Sequence, residues 1–99
     1  MRKTKIVCTI GPVTQSEEMI KKLMEHGMDV ARFNFSHGSY EYHKDCIEKV
    51  RKVASELNLP VAAMMDTKGP EVRLGRFVDD KPVEIKNGDI YTLTTEDCL

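Results

Sequence analysis

Charge of one sign, closely spaced cysteines and long apolar runs are all missing from this 99-residue chain. Lys and Arg number 15 against 16 Asp and Glu, so no basic excess points to nucleic acid and no block of like charge forms a tail. The longest apolar run, Val61–Met65, is far too short to span a membrane. The basic start, Met-Arg-Lys-Thr-Lys, leads only into Ile6–Ile10 before Gly11-Pro12, so no signal peptide is expected. Cys8, Cys46 and Cys98 are odd in number and far apart, with neither metal-ligand nor redox spacing. That usage suits a reducing cytoplasm. No repeat or low-complexity stretch is present either.

What is present reads as alternating strands and helices. With 40% hydrophobic residues the chain can bury a modest core. Lys5–Ile10 is a short strand ended by Gly11-Pro12. Thr14 and Glu17 have the spacing of a capping box, with Ser16 the alternative N-cap. Met19, Ile20, Leu23 and Met24 then share one helical face, and Gly27 suits a left-handed C-cap. Asp29–Phe35 is a second strand. Ser39 opens a second helix with a stripe of Cys46, Ile47, Val50, Val53, Ala54 and Leu57, ended by Asn58 and Pro60. Val61–Met65 is a third strand, closing on Asp66-Thr67-Lys68-Gly69-Pro70.

This order predicts right-handed crossovers and a parallel sheet. The third strand has no polar alternation, so both its faces call for cover. Residues 1–69 thus read as the opening of a larger α/β fold. After Pro70 the composition changes. Val72–Val78 and Val83–Thr95 are β-prone, and Asn87-Gly88 is a hairpin signal. Residues 70–99 are therefore expected to begin a second, all-β unit inside which the chain stops.

In parallel α/β folds ligands bind at the carboxyl ends of the strands. Here those ends carry oxygen donors (Asn34, Ser36, Asp66, Thr67) beside two guanidiniums (Arg32, Arg73). Within Arg32-Phe-Asn-Phe-Ser-His-Gly38, alternation puts Arg32, Asn34 and Ser36 on one face and Phe33 and Phe35 on the other. Oxygen donors suit a hard cation and arginines suit phosphate, a pairing that points to phosphoryl transfer. Two readings stand at this point. Arg32 could equally pair with a surface acid, and Asp66 could cap the turn after its strand. His26, His37 and His43, taken singly, read as solvated residues, Cys8 as a small buried hydrophobe, and Met64 and Met65 as core filler.

Three segments turn the balance. Lys5-Ile-Val-Cys-Thr-Ile-Gly-Pro12, Arg32-Phe-Asn-Phe-Ser-His-Gly38 and Asp66-Thr-Lys-Gly-Pro-Glu-Val-Arg73 resemble the first signature segments of pyruvate kinase, in order and at the family's spacing. The resemblance implies the opening units of a (β/α)8 TIM barrel, with residues 70–99 beginning the inserted β-barrel lid. It implies transfer of phosphate from phosphoenolpyruvate to ADP, with Mg2+ and K+, in a cytoplasmic homotetramer. By the same resemblance Arg32 binds the substrate phosphate. Asn34, Ser36, Asp66 and Thr67 hold K+, the last through its backbone carbonyl. Arg73 reaches the transferring phosphoryl group and the nucleotide, and Pro12 and His37 lie on the nucleotide side, next to Asn34 and Ser36. Glu71 stands where K+-dependent members carry an acid. Phe33 replaces a more usual leucine and faces away from the polar row. The family's catalytic lysine and Mg2+-binding carboxylates have no counterpart in this chain, so it is expected to be inactive alone. A phosphate-binding module without turnover, and a truncated interaction protein, are the competing expectations.

Overall fold

The computed structural model describes residues 2–96, and the chain divides into two units, Met1–Gly69 and Pro70–Leu99. The first unit runs β1 (Val7–Thr9), α1 (Glu17–Glu25), β2 (Val30–Asn34), α2 (Tyr40–Glu56) and β3 (Ala62–Asp66). The three strands form one parallel sheet in the order β1-β2-β3.

The period-2 pattern of β2 decides which face is covered. Ala31 and Phe33 are buried, while Val30, Arg32 and Asn34 alternate with them in partial exposure. Ala31 and Phe33 join Ile20 and Met24 of α1 and Cys46, Val50 and Val53 of α2 in a single core, so both helices cover the same side of the sheet. Phe33 is 1% exposed, as its position opposite the polar row predicts. Salt bridges Lys22–Glu18 and Lys52–Glu17 lie on the wet side of the helices, the second joining α2 to α1. Strand β3 stays exposed along Ala62–Met65. Met64 and Met65, expected as core filler, are instead 38% and 58% exposed, and neither joins the core. Cys8 is half-buried at the margin of the core rather than within it.

The helix ends follow local chemistry. Ser16, not Thr14, caps α1, accepting from the Met19 N–H at 3.2 Å. The expected capping box does not form, because Thr14 is used one loop earlier: its hydroxyl accepts the Gly11 N–H at 2.9 Å and donates to the Thr9 carbonyl at 3.1 Å. At the other end Gly27 takes φ +102°, with Met28 N–H bonded to Leu23 and Gly27 N–H to Met24. Those two bonds satisfy carbonyls that the helix leaves open. Ser39 caps α2 through the Tyr42 N–H, and Asn58 at φ 50° ends it in the same manner as Gly27.

The second unit departs from expectation. Among its described residues there is no strand, only a short 3-10 turn at Val78–Asp80. Asn87 and Gly88 do form a turn, with Gly88 at φ +93° and a 3.1 Å bond from the Asp89 N–H to the Lys86 carbonyl. The flanking residues do not pair as a hairpin. Every described residue from Pro70 onward is exposed, including Val72, Ile90 and Leu93, and a hairpin with no apolar face to cover is marginal in water. Val72–Gly75 and Leu93–Thr95 nonetheless line one open groove of about 930 Å³. Residues 97–99, including Cys98, lie outside the described residues.

Candidate functional site

Strand register assembles the site. Thr9 pairs with Arg32, and Asn34 pairs with Asp66, so the ends of all three strands contribute to one polar row on the face away from the helices. Arg32 is held from both neighbours. Its Nε donates to Asp66 Oδ2 at 3.0 Å, its Nη2 donates to the same oxygen, and its Nη1 donates to Thr9 Oγ1 at 3.0 Å. The guanidinium is therefore fixed in direction, yet keeps an N–H on each terminal nitrogen beyond these bonds. The two side chains are 30% and 44% exposed, which leaves the pair reachable from solvent.

Asn34 is also oriented: its Oδ1 accepts the Ser36 N–H at 3.1 Å, and its carbonyl accepts from His37 at 3.3 Å. Asp66 holds the next strand end, its carbonyl accepting the Phe35 N–H at 2.9 Å. Thr67 follows directly and is exposed. Asn34, Ser36, Asp66 and Thr67 thus supply only oxygens at one end of the sheet. A second lone pair remains on Asn34 Oδ1, and Arg32 engages only one Asp66 oxygen. Such a set of oxygens suits a hard cation. Asp66 is the single carboxylate of the set.

Beside the polar row lies a cavity of about 490 Å³. The loop Thr9–Pro12 forms one wall, Asn34, His37 and Gly38 another, and Tyr42 and His43 of α2 the floor. Pro12 and His37 therefore meet Asn34 around one space. Arg73 and Glu71 belong to the second unit. There the Glu71 carboxylate receives Arg73 Nε and Nη2, each at 2.8 Å, and this pairing raises the Arg73 pKa further above its usual value.

Sequence reasoning missed Tyr42 and His43. His43, expected to be solvated, is only 4% exposed. Its ring stacks on Phe35 with centroids 4.2 Å apart and meets the Tyr42 ring edge-on at 5.2 Å. Burial, and then the adjacent Cys46 thiol, raise the Tyr42 phenol above its ordinary pKa. The signal was available: His43 lies three residues before Cys46 and seven before Val50, on the same helical stripe.

The pyruvate kinase barrel-domain family model matches residues 1–99. The chain belongs to the pyruvate kinase family. It is 55% identical over 95 residues to pyruvate kinase 1 of Trypanosoma brucei brucei, covering 96% of this chain and 19% of that protein. Against the cytosolic pyruvate kinase isozyme of Nicotiana tabacum the identity is 51% over 94 residues, covering 95% and 18%. A crystal structure of a pyruvate kinase from Cryptosporidium parvum matches with TM-score 0.68 and 46% identity, over 71% of this chain and 14% of that one. The chain thus spans less than a fifth of the length of these pyruvate kinases.

Proposed function

We propose that this chain supplies the phosphate-binding and K+-binding face of a pyruvate kinase, which transfers phosphate from phosphoenolpyruvate to ADP and yields pyruvate and ATP. The observation that carries the proposal is Arg32, held between Asp66 and Thr9 in the same row as Asn34. Phosphoryl transfer gains most from positioning and charge neutralisation, and a pre-oriented guanidinium offers both without reorganising. Arg32 grips the substrate phosphate through its remaining N–H groups. Asn34, Ser36, Asp66 and the Thr67 carbonyl hold K+, which when bound supplies positive charge beside that phosphate. ADP occupies the adjoining cavity against Pro12 and His37, and Arg73 serves the transferring phosphoryl group.

The fold proposed with this function is the opening of a TIM barrel, followed from Pro70 by the beginning of a lid. A parallel three-stranded sheet with both helices on one face supports the first part. The Nicotiana relative's name supports the cytoplasm as compartment. A homotetramer rests on family resemblance alone. The test is calorimetric titration of phosphoenolpyruvate into the 99-residue chain in KCl, against Arg32→Leu. Affinity at least tenfold weaker in the variant supports the proposal; equal affinity overturns it.

A further inference from the structure

His43 is the one buried polar residue in the core among the described residues, and neither the phosphate row nor the cation set uses it. Its Nε2 lies 2.6 Å from the His37 carbonyl oxygen. A carbonyl can only accept, so Nε2 carries a proton and donates. Nδ1 is buried and has no hydrogen-bond partner among the described residues. A residue present only for packing would be better served there by an apolar ring, since an unpaired buried polar atom is destabilising. The donor on Nε2 is what an apolar ring would lack.

The geometry around that donor is a clip. His43 stacks on Phe35, at the start of the turn, and bonds His37, further along it. Gly38 closes the turn at φ +77°, and a Cβ there would come within 3.3 Å of Nε2 and 3.0 Å of the Tyr42 ring. The turn backbone is therefore pressed onto the first turn of α2. The same turn orients Asn34 through the Ser36 N–H and provides His37 and Gly38 to the cavity wall.

We propose that His43 is a positioning residue: its Nε2–H holds the Phe35–Gly38 turn in the shape that lets the cavity grip a nucleoside diphosphate. The ligand half of this statement rests on the reading of the cavity given above; the clip itself does not. Neither the ring stack nor helix packing alone would require a donor at the ε position.

Two substitutions separate donor from packing. His43→Phe keeps the stack and removes the donor, whereas His43→Gln restores an N–H near the Nε2 position. Two readouts on the 99-residue chain are amide hydrogen exchange and the affinity for ADP in KCl. In His43→Phe, exchange at Ser36 and His37 should rise at least tenfold while Val50 and Val53 stay protected, and ADP should bind at least tenfold more weakly. His43→Gln should remain within about threefold of the parent on both readouts. Unchanged exchange at Ser36 and His37 in His43→Phe, or a His43→Gln as impaired as His43→Phe, overturns the proposal. If His43→Phe loses protection at Val50 and Val53, the Gln variant decides through the same two amides. If the parent binds no ADP, the cavity reading fails, and the exchange results alone decide the clip.

Discussion

Replacing Asp66 by Asn separates a binding role from a structural one. The substitution keeps the side-chain shape and one acceptor oxygen for Arg32, but removes the charge and turns the other oxygen into an NH2 donor. The Arg32 and Asp66 side chains are 30% and 44% exposed, so solvent screens much of their attraction. Exposed pairs of this kind contribute about 0–1 kcal/mol. Asp66→Asn should therefore lower unfolding stability by no more than about 1 kcal/mol, or roughly 4–8 °C in melting temperature for a domain of this size. Binding should respond differently. On the proposed function, Asp66 is the only carboxylate among the cation's ligands, so its loss would remove the attraction that draws K+ next to the substrate phosphate. Coupling between two ligands typically amounts to about 1–3 kcal/mol, or 5–150-fold in affinity. In the parent chain, K+ should strengthen phosphoenolpyruvate binding at least fivefold over a large organic cation; in Asp66→Asn the gain should fall below about twofold. The assays are urea denaturation and calorimetric titration at matched ionic strength. A stability loss above about 2 kcal/mol with K+ coupling retained would instead make Asp66 a turn residue with no part in cation binding.

Three further outcomes follow from the same structure. Phe33→Ala should cost about 3–5 kcal/mol, since the ring is 1% exposed in the core, and urea denaturation reads it. Ser39→Ala should lower stability by about 1 kcal/mol through loss of the bond to the Tyr42 N–H, also by denaturation. Asp29 accepts the Ile6 N–H at 2.8 Å and faces Lys5 and Arg2, which together hold its pKa below the ordinary value against the opposing effect of partial burial. Its contribution is present above the unfolded value of about 3.9 and disappears as pH falls through the lower folded value. Asp29→Asn should flatten the acid limb of the stability curve below about pH 4, as measured by thermal melts across pH.

Much of the first unit was legible because its signals are local and periodic. The alternation in β2 separated Arg32 and Asn34 from Ala31 and Phe33, and the α2 stripe from Cys46 to Val53 pointed at the core. The N-cap of α1 was ambiguous because Thr14 and Ser16 both precede the helix. Which of them caps depends on the Gly11 N–H, a partner that pattern alone does not reveal. His43 was misread because a histidine's polarity outweighed its place on the stripe; the deciding partners, Phe35 and the His37 carbonyl, come from another element. Beyond Pro70 the difficulty is physical. Propensity favours extended backbone at Val72–Val78 and Val83–Thr95, but pairing needs a face to bury, and Val72, Ile90 and Leu93 have none among the described residues. The site divides the same way. Arg32, Asn34 and Asp66 could be grouped from strand ends alone, whereas the bond between Thr9 and Arg32 required the register.

On the proposed function, the strand-end row from Thr9 to Asp66 binds the phosphate of phosphoenolpyruvate beside a cation. An amide chemical-shift titration of the 99-residue chain with phosphoenolpyruvate in KCl tests it most directly. Saturable shifts should centre on Thr9–Gly11, Arg32–Gly38 and Asp66–Gly69 and vanish in Arg32→Leu. Saturable shifts centred elsewhere, or persisting in Arg32→Leu, would contradict the claim.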